Sequence, residues 1–313
     1  MNILITGGLG HIGTNFLLNS HHIKEIKNIY VIDRVDEKML NLMNLNLKRK
    51  IIFINQDLSK KKIKFSIKKK INSVIHLASI TNAAASIKNK KQVYKNNLSC
   101  FRNVLNFCKK RKIKLIHISS TSVYGSQELY VDEKCEEIKP QSPYAEVKLI
   151  EEKILKTTNK NFKYVSLRFG TIVGPSTGMR FHTAVNKFCM QAYINQPLQV
   201  WKTALHQYRP YLSIRDTFKT FKFFLKKKNF DRNIYNVVSE NITVKDIIKK
   251  IEKHKKTKIK LVNEKIMNQL SYKVSSLKVK KIGLKLNSKI QKDITNTFKI
   301  LNKKIINHEK FRL

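Results

Sequence analysis

Cysteine is scarce in this chain of 313 residues, and the four copies form no C-x-x-C pair. Cys100 and Cys108 are eight residues apart, a spacing typical of one buried helix face, whereas Cys135 and Cys189 are isolated. No cysteine–histidine cluster has the ligand spacing of a zinc site. We therefore expect free buried thiols in a reducing compartment and no bound metal.

Long hydrophobic runs are also missing, because no stretch approaches the roughly 20 apolar residues that span a membrane. Residues 1–6 run straight into a glycine-rich turn, without the charged start, apolar centre and cleavage site of a signal peptide. No repeat, Pro/Ser-rich linker or low-complexity tail divides the sequence. These absences predict a cytoplasmic protein with no membrane span.

Acidic residues are few, at 21 against 64 basic residues, and the formal net charge is +43. Such an excess suits a polyanionic partner such as nucleic acid. However, only 10 of the basic residues are arginine, which nucleic-acid readers use for bidentate contacts, and the 54 lysines are scattered. Abundant lysine, isoleucine and asparagine indicate a coding bias toward A and T. We therefore do not expect nucleic acid as the main partner, and expect the positive field to attract anionic substrates.

Short apolar runs alternate with helical patterns through the first half of the chain. The runs lie at 2–6, 28–33, 51–54, 73–77, 114–119 and 164–167, and the clearest helical patterns at 93–110 and 144–156. This alternation predicts an α/β fold with a doubly wound parallel sheet of the Rossmann type. The later part is less regular, so we place a Rossmann domain at residues 1–169 and a smaller, discontinuous lobe at 170–313. Segments near 208–240 are expected to return to the sheet.

A glycine-rich turn with the sequence TGGLGHIG links the first strand to the first helix. Gly7 permits a tight turn, Gly10 lets a pyrophosphate approach the backbone, and Gly13 lets the helix pack closely on the strand. His11 and Ile12 begin the helix, whose N-terminal N–H groups bind phosphate. This arrangement, between a strand and a helix, predicts a dinucleotide site.

The residues after the second and third strands indicate which dinucleotide binds. Asp33 ends the second strand 20 residues after Gly13, where a carboxylate holds both ribose hydroxyls and repels a 2′-phosphate. That favours NAD over NADP, although Arg34 follows directly. Asp57 and Leu58 follow the third strand, where Asp57 either meets the adenine or caps a helix.

Two further segments are candidates for the site. Leu77, Ala78 and Ser79 end the fourth strand, and small residues there either let the backbone approach a cofactor or simply end a strand. Tyr144 and Lys148 are four residues apart on a predicted helix, so they share one face. An ammonium near a phenol favours the phenolate, which can exchange a proton with a sugar hydroxyl near neutral pH.

These segments together resemble the extended short-chain dehydrogenase/reductases, the NAD-dependent epimerase/dehydratase family, and in particular its nucleotide-sugar 4-epimerases and sugar-nucleotide dehydrogenases. The matching stretches are TGGLGHIG at 6–13, Asp33, HLAS at 76–79, SSTSVYG at 119–125, PQSPYAEVK at 140–148, LRFGTIVGP at 167–175, YRPYLSIRD at 208–216 and YNVVSENITVKDII at 235–248. The resemblance covers nearly the whole chain. It implies an enzyme that binds NAD in the first domain and a nucleotide-diphosphate sugar in the second lobe. It also implies a homodimer, with polysaccharide biosynthesis as the pathway.

The resemblance also implies roles for individual residues. Ser120 would hydrogen-bond the C4 hydroxyl of the sugar, and Tyr144 would be the catalytic acid/base. Lys148 would bind the nicotinamide ribose and lower the Tyr144 pKa, and Asn97 would support this network beside the cofactor. Arg209 would meet the substrate pyrophosphate. The full set of expected substrate contacts is Ser120, Thr121, Thr171, Arg180 and Arg209.

Departures from the family pattern narrow the reaction. Thr171 stands where many relatives carry an asparagine that touches the sugar nucleotide, and the segment after it resembles a branch acting on deoxysugar or heptose nucleotides. The dehydratases carry an Asp-Glu pair where this chain has Thr121 and Ser122, so 4,6-dehydration is disfavoured, as is decarboxylation.

We therefore expect an NAD-dependent nucleotide-sugar 4-epimerase, which oxidises the C4 hydroxyl to a ketone and reduces it again. The first alternative is an NAD-dependent 4-dehydrogenase or reductase of a nucleotide-activated deoxysugar or heptose. The second, from another class, is a non-catalytic Rossmann protein that senses NAD or associates with nucleic acid. An intact acid–base set argues against the second alternative, because a sensor needs none.

Overall fold

The computed structural model of the chain describes residues 1–34, 47, 50–60, 63, 70–125, 127, 130–226, 230–263 and 272–309. The strands are β1 (Asn2–Thr6), β2 (Asn28–Asp33), β3 (Ile51–Asn55), β4 (Ser73–His76), β5 (Lys114–Ser120), β6 (Tyr130–Val131), β7 (Tyr164–Phe169), β8 (Thr171–Val173), β9 (Leu198–Trp201), β10 (Tyr208–Ser213), β11 (Ile234–Val237), β12 (Glu240–Thr243), β13 (Ile259–Val262) and β14 (Lys273–Val274). The α-helices are α1 (His11–Asn19), α2 (Ala83–Lys88), α3 (Lys90–Lys110), α4 (Pro143–Lys156), α5 (Ala184–Tyr193), α6 (Ile214–Lys226), α7 (Val244–Glu252), α8 (Leu277–Lys281) and α9 (Ile290–Glu309).

A parallel sheet of seven strands forms the centre of the molecule, in the order β11-β7-β5-β4-β1-β2-β3. The inner strands are almost wholly buried, because helices cover both faces and the strands carry continuous apolar runs. The chain turns from one side of β1 to the other between β3 and β4, so a crevice opens at the carboxyl ends of β1 and β4. The predicted doubly wound Rossmann fold is confirmed.

Two apolar layers fix the helices to this sheet. On one face, Phe16 of α1 packs edge-on against Phe221 of α6, and both belong to the core cluster of Ile3, Ile5 and Val31. On the other face, α3 contributes its own apolar stripe to a separate cluster, which contains Leu4 and Val74. The larger helices therefore place their polar edges at the rim of the sheet, where the crevice lies.

The described part of the second lobe includes two small sheets and helices α5, α7 and α9. Strand β10 lies between β8 and β12, and β13 pairs with β9. Helices α5, α7 and α9 pack together around Phe188, Ile247 and Ile294. Of the segments near 208–240, β11 joins the central sheet beside β7, whereas β10 forms the separate three-stranded sheet. The division into 1–169 and 170–313 stays a prediction.

The start of α4 sets the position of one candidate side chain. Ser142 caps the helix by accepting a hydrogen bond from the Ala145 N–H at 3.2 Å, and Pro143 occupies the first turn, where its missing N–H costs nothing. Tyr144 is consequently held in the first turn, directly after a rigid cap. Within the described ranges, no helix combines the length and apolar composition that a membrane crossing requires.

Candidate active site

A cavity of about 510 Å³ lies at the carboxyl edge of the central sheet. One end, the cofactor half, is bounded by the glycine-rich turn and the ends of β2 and β4. The other end, the substrate half, is bounded by β8, β9 and β10 of the second lobe. Tyr144 stands between the two halves. A single space therefore connects the predicted dinucleotide site with the second lobe.

The glycine-rich turn is too tightly packed for a larger residue at Gly7 and Gly13. Gly7 has a φ of 70°, and a Cβ there would lie 2.6 Å from the Ala78 nitrogen. A Cβ on Gly13 would lie 2.3 Å from the Gly8 carbonyl oxygen, so the helix crosses the turn at backbone contact. This close packing leaves the N–H groups at the start of α1 at the cavity, and the turn fits a pyrophosphate.

Asp33 is held in place at the end of β2. Its Oδ2 accepts a hydrogen bond from the Leu9 N–H at 2.9 Å, and its Oδ1 accepts one from the Arg34 N–H at 2.9 Å. Asp33 also lines the cavity, where a carboxylate can accept hydrogen bonds from ribose hydroxyls. Arg34 is exposed. The position fits the predicted preference for NAD.

Asp57 bonds to the turn that follows it and also lies at the cavity. Its Oδ1 accepts hydrogen bonds from the Ser59 N–H at 2.8 Å and from the Ser59 hydroxyl at 2.6 Å, so it caps the turn after β3. Burial disfavours its carboxylate, but these bonds hold the Asp57 pKa below its usual value. Asp57 and Leu58 also line the cofactor half, beside the expected adenine position.

Residues 174–183, between β8 and α5, lie over the glycine-rich turn and are named the cover loop. Burial lowers the pKa of His11 to about 4, so its neutral ring donates to the Gly174 carbonyl oxygen, with Nε2 at 2.7 Å. The Ser176 hydroxyl donates to the His11 carbonyl oxygen at 2.9 Å. A Cβ on Gly178 would lie 2.7 Å from the backbone of the turn. The cover loop therefore closes the cofactor half from above.

Ser120, Tyr144 and Lys148 meet at the junction of the two halves. Tyr144 and Ser120 both line the cavity here, and the Lys148 Nζ lies 5.9 Å from the centre of the Tyr144 ring. Burial raises the pKa of Tyr144, whereas Lys148 and Ser120 act in the opposite direction. Lys148 therefore lowers the pKa of Tyr144, as expected, but burial raises that pKa by more.

Asn97 does not line the cavity, unlike the other residues that the sequence assigned to the site. It is fully buried, its amide donates to the Ile80 carbonyl oxygen at 3.0 Å, and its Oδ1 accepts from the Ile80 N–H at 2.8 Å. It thus shapes the wall without reaching the cofactor space. The assigned residues that do line the cavity are Gly7, Gly10, His11, Ile12, Gly13, Asp33, Arg34, Asp57, Leu58, Leu77, Ala78, Ser79, Ser120, Thr121, Tyr144, Lys148, Thr171, Arg180 and Arg209.

The two arginines lie in different halves. Arg209 lines the substrate half, and its Nη2 donates to Gln207 Oε1 at 2.8 Å. Arg180 lies on the cover loop, where its Nη1 donates to the Thr81 hydroxyl at 2.6 Å and it interacts with the charges of Asp33 and Tyr144. Arg180 therefore lies beside the cofactor half, and its contact with the substrate stays a prediction.

Several lining residues of the substrate half carried no sequence signal. They come from separate segments whose approach depends on the tertiary fold: His182, Lys187, Gln199, Trp201, Tyr211 and Tyr272. Of the predicted contacts, Thr171 lines the cavity directly, whereas the buried Thr121 hydroxyl donates to the Phe169 carbonyl oxygen at 3.3 Å. Sequence reasoning also missed Glu151, which lies 2.8 Å from Lys148 Nζ.

A glycine cradle, a carboxylate at the end of β2 and a tyrosine one helical turn from a lysine, all lining one cavity, are typical of a dinucleotide-dependent enzyme that acts on a hydroxyl or carbonyl group. The model of the NAD dependent epimerase/dehydratase family matches residues 3–237, and the chain belongs to that family. It is thus an NAD-dependent enzyme of the nucleotide-sugar epimerase/dehydratase type, and the predictions of family, enzyme class and cofactor are confirmed.

Known relatives include both epimerases and dehydratases. An uncharacterised UDP-glucose epimerase of Bacillus subtilis (strain 168) is 28% identical over 264 residues, which are 80% of this chain and 81% of that protein. A dTDP-D-glucose 4,6-dehydratase of Dictyostelium discoideum is 29% identical over 275 residues, 80% of this chain and 61% of the relative. The structure of the UDP-glucuronic acid 4-epimerase of Bacillus cereus, in complex with UDP-glucuronic acid and NAD, has a TM-score of 0.82 at 26% identity and covers 97% of this chain and 99% of its own.

Proposed function

We propose that the protein is a nucleotide-sugar 4-epimerase. The observation that carries this proposal is the position of Tyr144, which lines the cavity together with Ser120 and Lys148 where the cofactor half meets the substrate half. Bound NAD supplies the hydrogen acceptor for C4 and afterwards the donor. Tyr144 takes the proton of the C4 hydroxyl as a 4-keto sugar forms, and returns it after the sugar has presented its other face.

The other residues of the chain have positioning roles in this reaction. Ser120 holds the reacting oxygen through its hydroxyl, and the Lys148 ammonium favours the phenolate of Tyr144. Arg209 stands in the substrate half at a distance from the reacting centre, where a guanidinium suits the paired oxygens of a pyrophosphate. Arg209 would hold the pyrophosphate, whereas Ser120 and Tyr144 contact only the reacting sugar. The sugar can therefore turn over while the nucleotide stays bound.

The polar groups near Tyr144 favour epimerisation over dehydration. In the described part of the chain, the cavity next to Tyr144 is lined by the hydroxyl-bearing residues 119–122, and the lining carboxylates are Asp33 and Asp57 at the cofactor end. Removal of water across C5 and C6 requires an acid and a base beside the sugar. No group among those hydroxyls supplies them, which supports a reaction confined to C4.

The cover loop favours an epimerase over a dehydrogenase or reductase. An epimerase regenerates NAD in every cycle and keeps it bound, whereas a dehydrogenase must exchange it. His11 and Ser176 link the cover loop to the glycine-rich turn, so an enclosed cofactor can leave only when these contacts open. We take a UDP-linked hexose as the substrate class, because relatives at 28% and 26% identity are named for UDP-glucose and UDP-glucuronic acid. The homodimer and the cytoplasmic location stay predictions.

The proposal is tested by proton NMR on the purified protein mixed with UDP-, GDP-, CDP- and dTDP-sugars, without added cofactor. We expect catalytic interconversion of two C4 epimers, starting with the UDP-sugars. In Tyr144→Phe, turnover should fall by at least about 100-fold, since general acid–base catalysis contributes this much, while NAD affinity is retained. Conversion that requires added NAD⁺ or NADH would instead establish a dehydrogenase or reductase, and near-normal turnover in Tyr144→Phe would reject the assigned base.

A further inference from the structure

A buried polar cluster lies directly behind the reacting tyrosine. Glu151 Oε2 accepts a hydrogen bond from Lys148 Nζ at 2.8 Å and lies 2.8 Å from His117 Nε2. On its other side, the His117 ring places Nδ1 2.9 Å from the Ser166 hydroxyl. All four side chains are buried, and Glu151 and Ser166 stand outside the described lining of the cavity. The proposed reaction assigns no role to Glu151 or His117.

The position of Glu151 connects this cluster to the reaction. Tyr144, Lys148 and Glu151 follow one another at intervals of four and three residues, so they lie along one face of α4. A buried ion pair is poor evidence for stability, because well-packed apolar residues of similar volume are often equally stable. Both charges of the pair influence the pKa of Tyr144, which gives the pair a consequence beyond the stability of the fold.

Glu151 opposes the influence of Lys148 on Tyr144. Burial disfavours the Glu151 carboxylate, but the charge of Lys148 and the bond from His117 hold its pKa at about 2, so it is ionised over the working pH range. Burial likewise disfavours the Lys148 ammonium, but Glu151 and Tyr144 raise its pKa above the usual value. Beside Tyr144, the carboxylate partly cancels the ammonium, and it raises the pKa of that phenol.

The surrounding groups leave Glu151 as the negative charge in contact with Lys148. From β4, His76 faces the pair, and burial lowers its pKa to about 3, which makes it neutral. From α3, burial raises the pKa of Cys100 to about 12, so it is a neutral thiol. Arg180 faces Tyr144 from the cover loop and favours the phenolate. His117 from β5 contacts the same Glu151 oxygen as Lys148 does.

We propose that Glu151 is a positioning residue of this active site, which holds the Lys148 ammonium from behind and sets the pH range over which Tyr144 accepts a proton. His117 orients Glu151 for this purpose. The inference rests on the proposed function, in which Tyr144 is the base. The Glu151 carboxylate is a fixed negative charge, and it keeps the Tyr144 phenol from ionising too readily when the substrate is absent.

The test follows the ionisation of Tyr144 in NAD-saturated protein, read as phenolate absorbance after subtraction of the matching Tyr144→Phe protein. In Glu151→Gln the midpoint should move to lower pH by about one unit, the effect of a unit charge several ångströms away in a partly polar interior. Glu152→Gln is the matched control, because Glu152 is the next residue, equally buried, and bonded to Arg168. A midpoint that is unmoved in Glu151→Gln, or moves equally in the control, overturns the proposal.

A second pair of variants tests the same proposal if the Glu151→Gln protein does not fold. Lys148→Met leaves the carboxylate unopposed and should raise the Tyr144 midpoint above that of the wild type. The double variant Lys148→Met/Glu151→Met buries no charge, so it is expected to fold, and its midpoint should lie at least about one pH unit below that of Lys148→Met. Equal midpoints in the single and double variants overturn the proposal.

This readout separates the inference from the proposed reaction. Phenolate titration needs no turnover, so an absence of nucleotide-sugar conversion would reject the function and leave the effect of Glu151 measurable. Where turnover is present, the acidic limb of the kcat profile should move to lower pH in Glu151→Gln by the same interval as the titration. An acidic limb that stays in place while the titration moves would contradict the role of Tyr144 as the base that limits the rate.

Discussion

Alanine in place of Gly178 should loosen the hold of the protein on NAD. The added methyl group would lie 2.7 Å from the Gly10 carbonyl carbon, 2.8 Å from the Gly10 oxygen and 2.9 Å from the Leu9 oxygen. All three are backbone atoms of the glycine-rich turn, so none can turn aside as the tip of a side chain would. The cover loop must therefore lift, or the turn must shift, before the variant can close.

The magnitude follows from the cost of overpacking a close contact, about 1–3 kcal/mol. The free-energy cost of the added methyl group arises only when the cover loop is seated. If the seated loop holds the cofactor, this cost reduces the free energy of NAD binding by the same amount. The dissociation constant for NAD should rise about 5- to 150-fold, since 1.4 kcal/mol corresponds to a factor of ten. Ser176→Ala removes a hydrogen bond to His11 without adding atoms, and should cost only about 1 kcal/mol.

Isothermal titration calorimetry of NAD into the cofactor-free proteins measures this effect, with the Tm of each protein as a check on folding. We expect Gly178→Ala to bind NAD more weakly than Ser176→Ala, and Ser176→Ala more weakly than the wild type. A dissociation constant within twofold of the wild type, in Gly178→Ala with an unchanged Tm, would refute the reasoning that the seated loop contributes to cofactor binding.

Two further substitutions test other parts of the structure. Asp33→Asn keeps an acceptor for the Leu9 N–H but removes the charge, so NAD affinity should fall about tenfold and the preference over NADP should shrink; unchanged affinity for both cofactors, measured by titration, would count against Asp33 as the ribose ligand. Glu152→Gln weakens the two-bond contact with the buried Arg168 guanidinium and should lower the free energy of unfolding by about 3 kcal/mol. Denaturant melts would show no such loss if the pair contributed nothing to the fold.

Local signals in the sequence were enough to predict the cofactor half. Gly7 and Gly13 allow close backbone contacts, and Asp33 lies at the end of a strand. Both features depend on neighbours in the chain and on the regular alternation of strands and helices. The helix that carries Tyr144 was also predictable, because Pro143 and the helical periodicity after it mark where α4 begins. These features need only short-range rules, so the sequence expresses them directly.

The contacts that shape the rest of the site are long-range. His117 reaches Glu151 from another element 34 residues away, and His11 meets Gly174 across 163 residues. No local pattern announces such pairs. One signal was nevertheless available, since Glu151 continues the face defined by Tyr144 and Lys148. For Asn97 the sequence predicted the position on α3 but not the hydrogen-bond partner. Its bonds to the Ile80 backbone depend on a loop of irregular conformation, which the sequence does not specify.

The cover loop makes the cofactor chamber a product of two distant parts of the chain. Its walls come from the glycine-rich turn and from the ends of β2 and β4, whereas the cover loop that closes it follows β8. A nascent chain consequently has no closed chamber until more than half of it has been synthesised. NAD must enter before the cover loop seats, or after the loop has lifted again. Because a bound ligand stabilises only the folded form, molecules that close without NAD are the less stable population. A supply of NAD during synthesis is therefore expected to increase the share of folded, closed molecules.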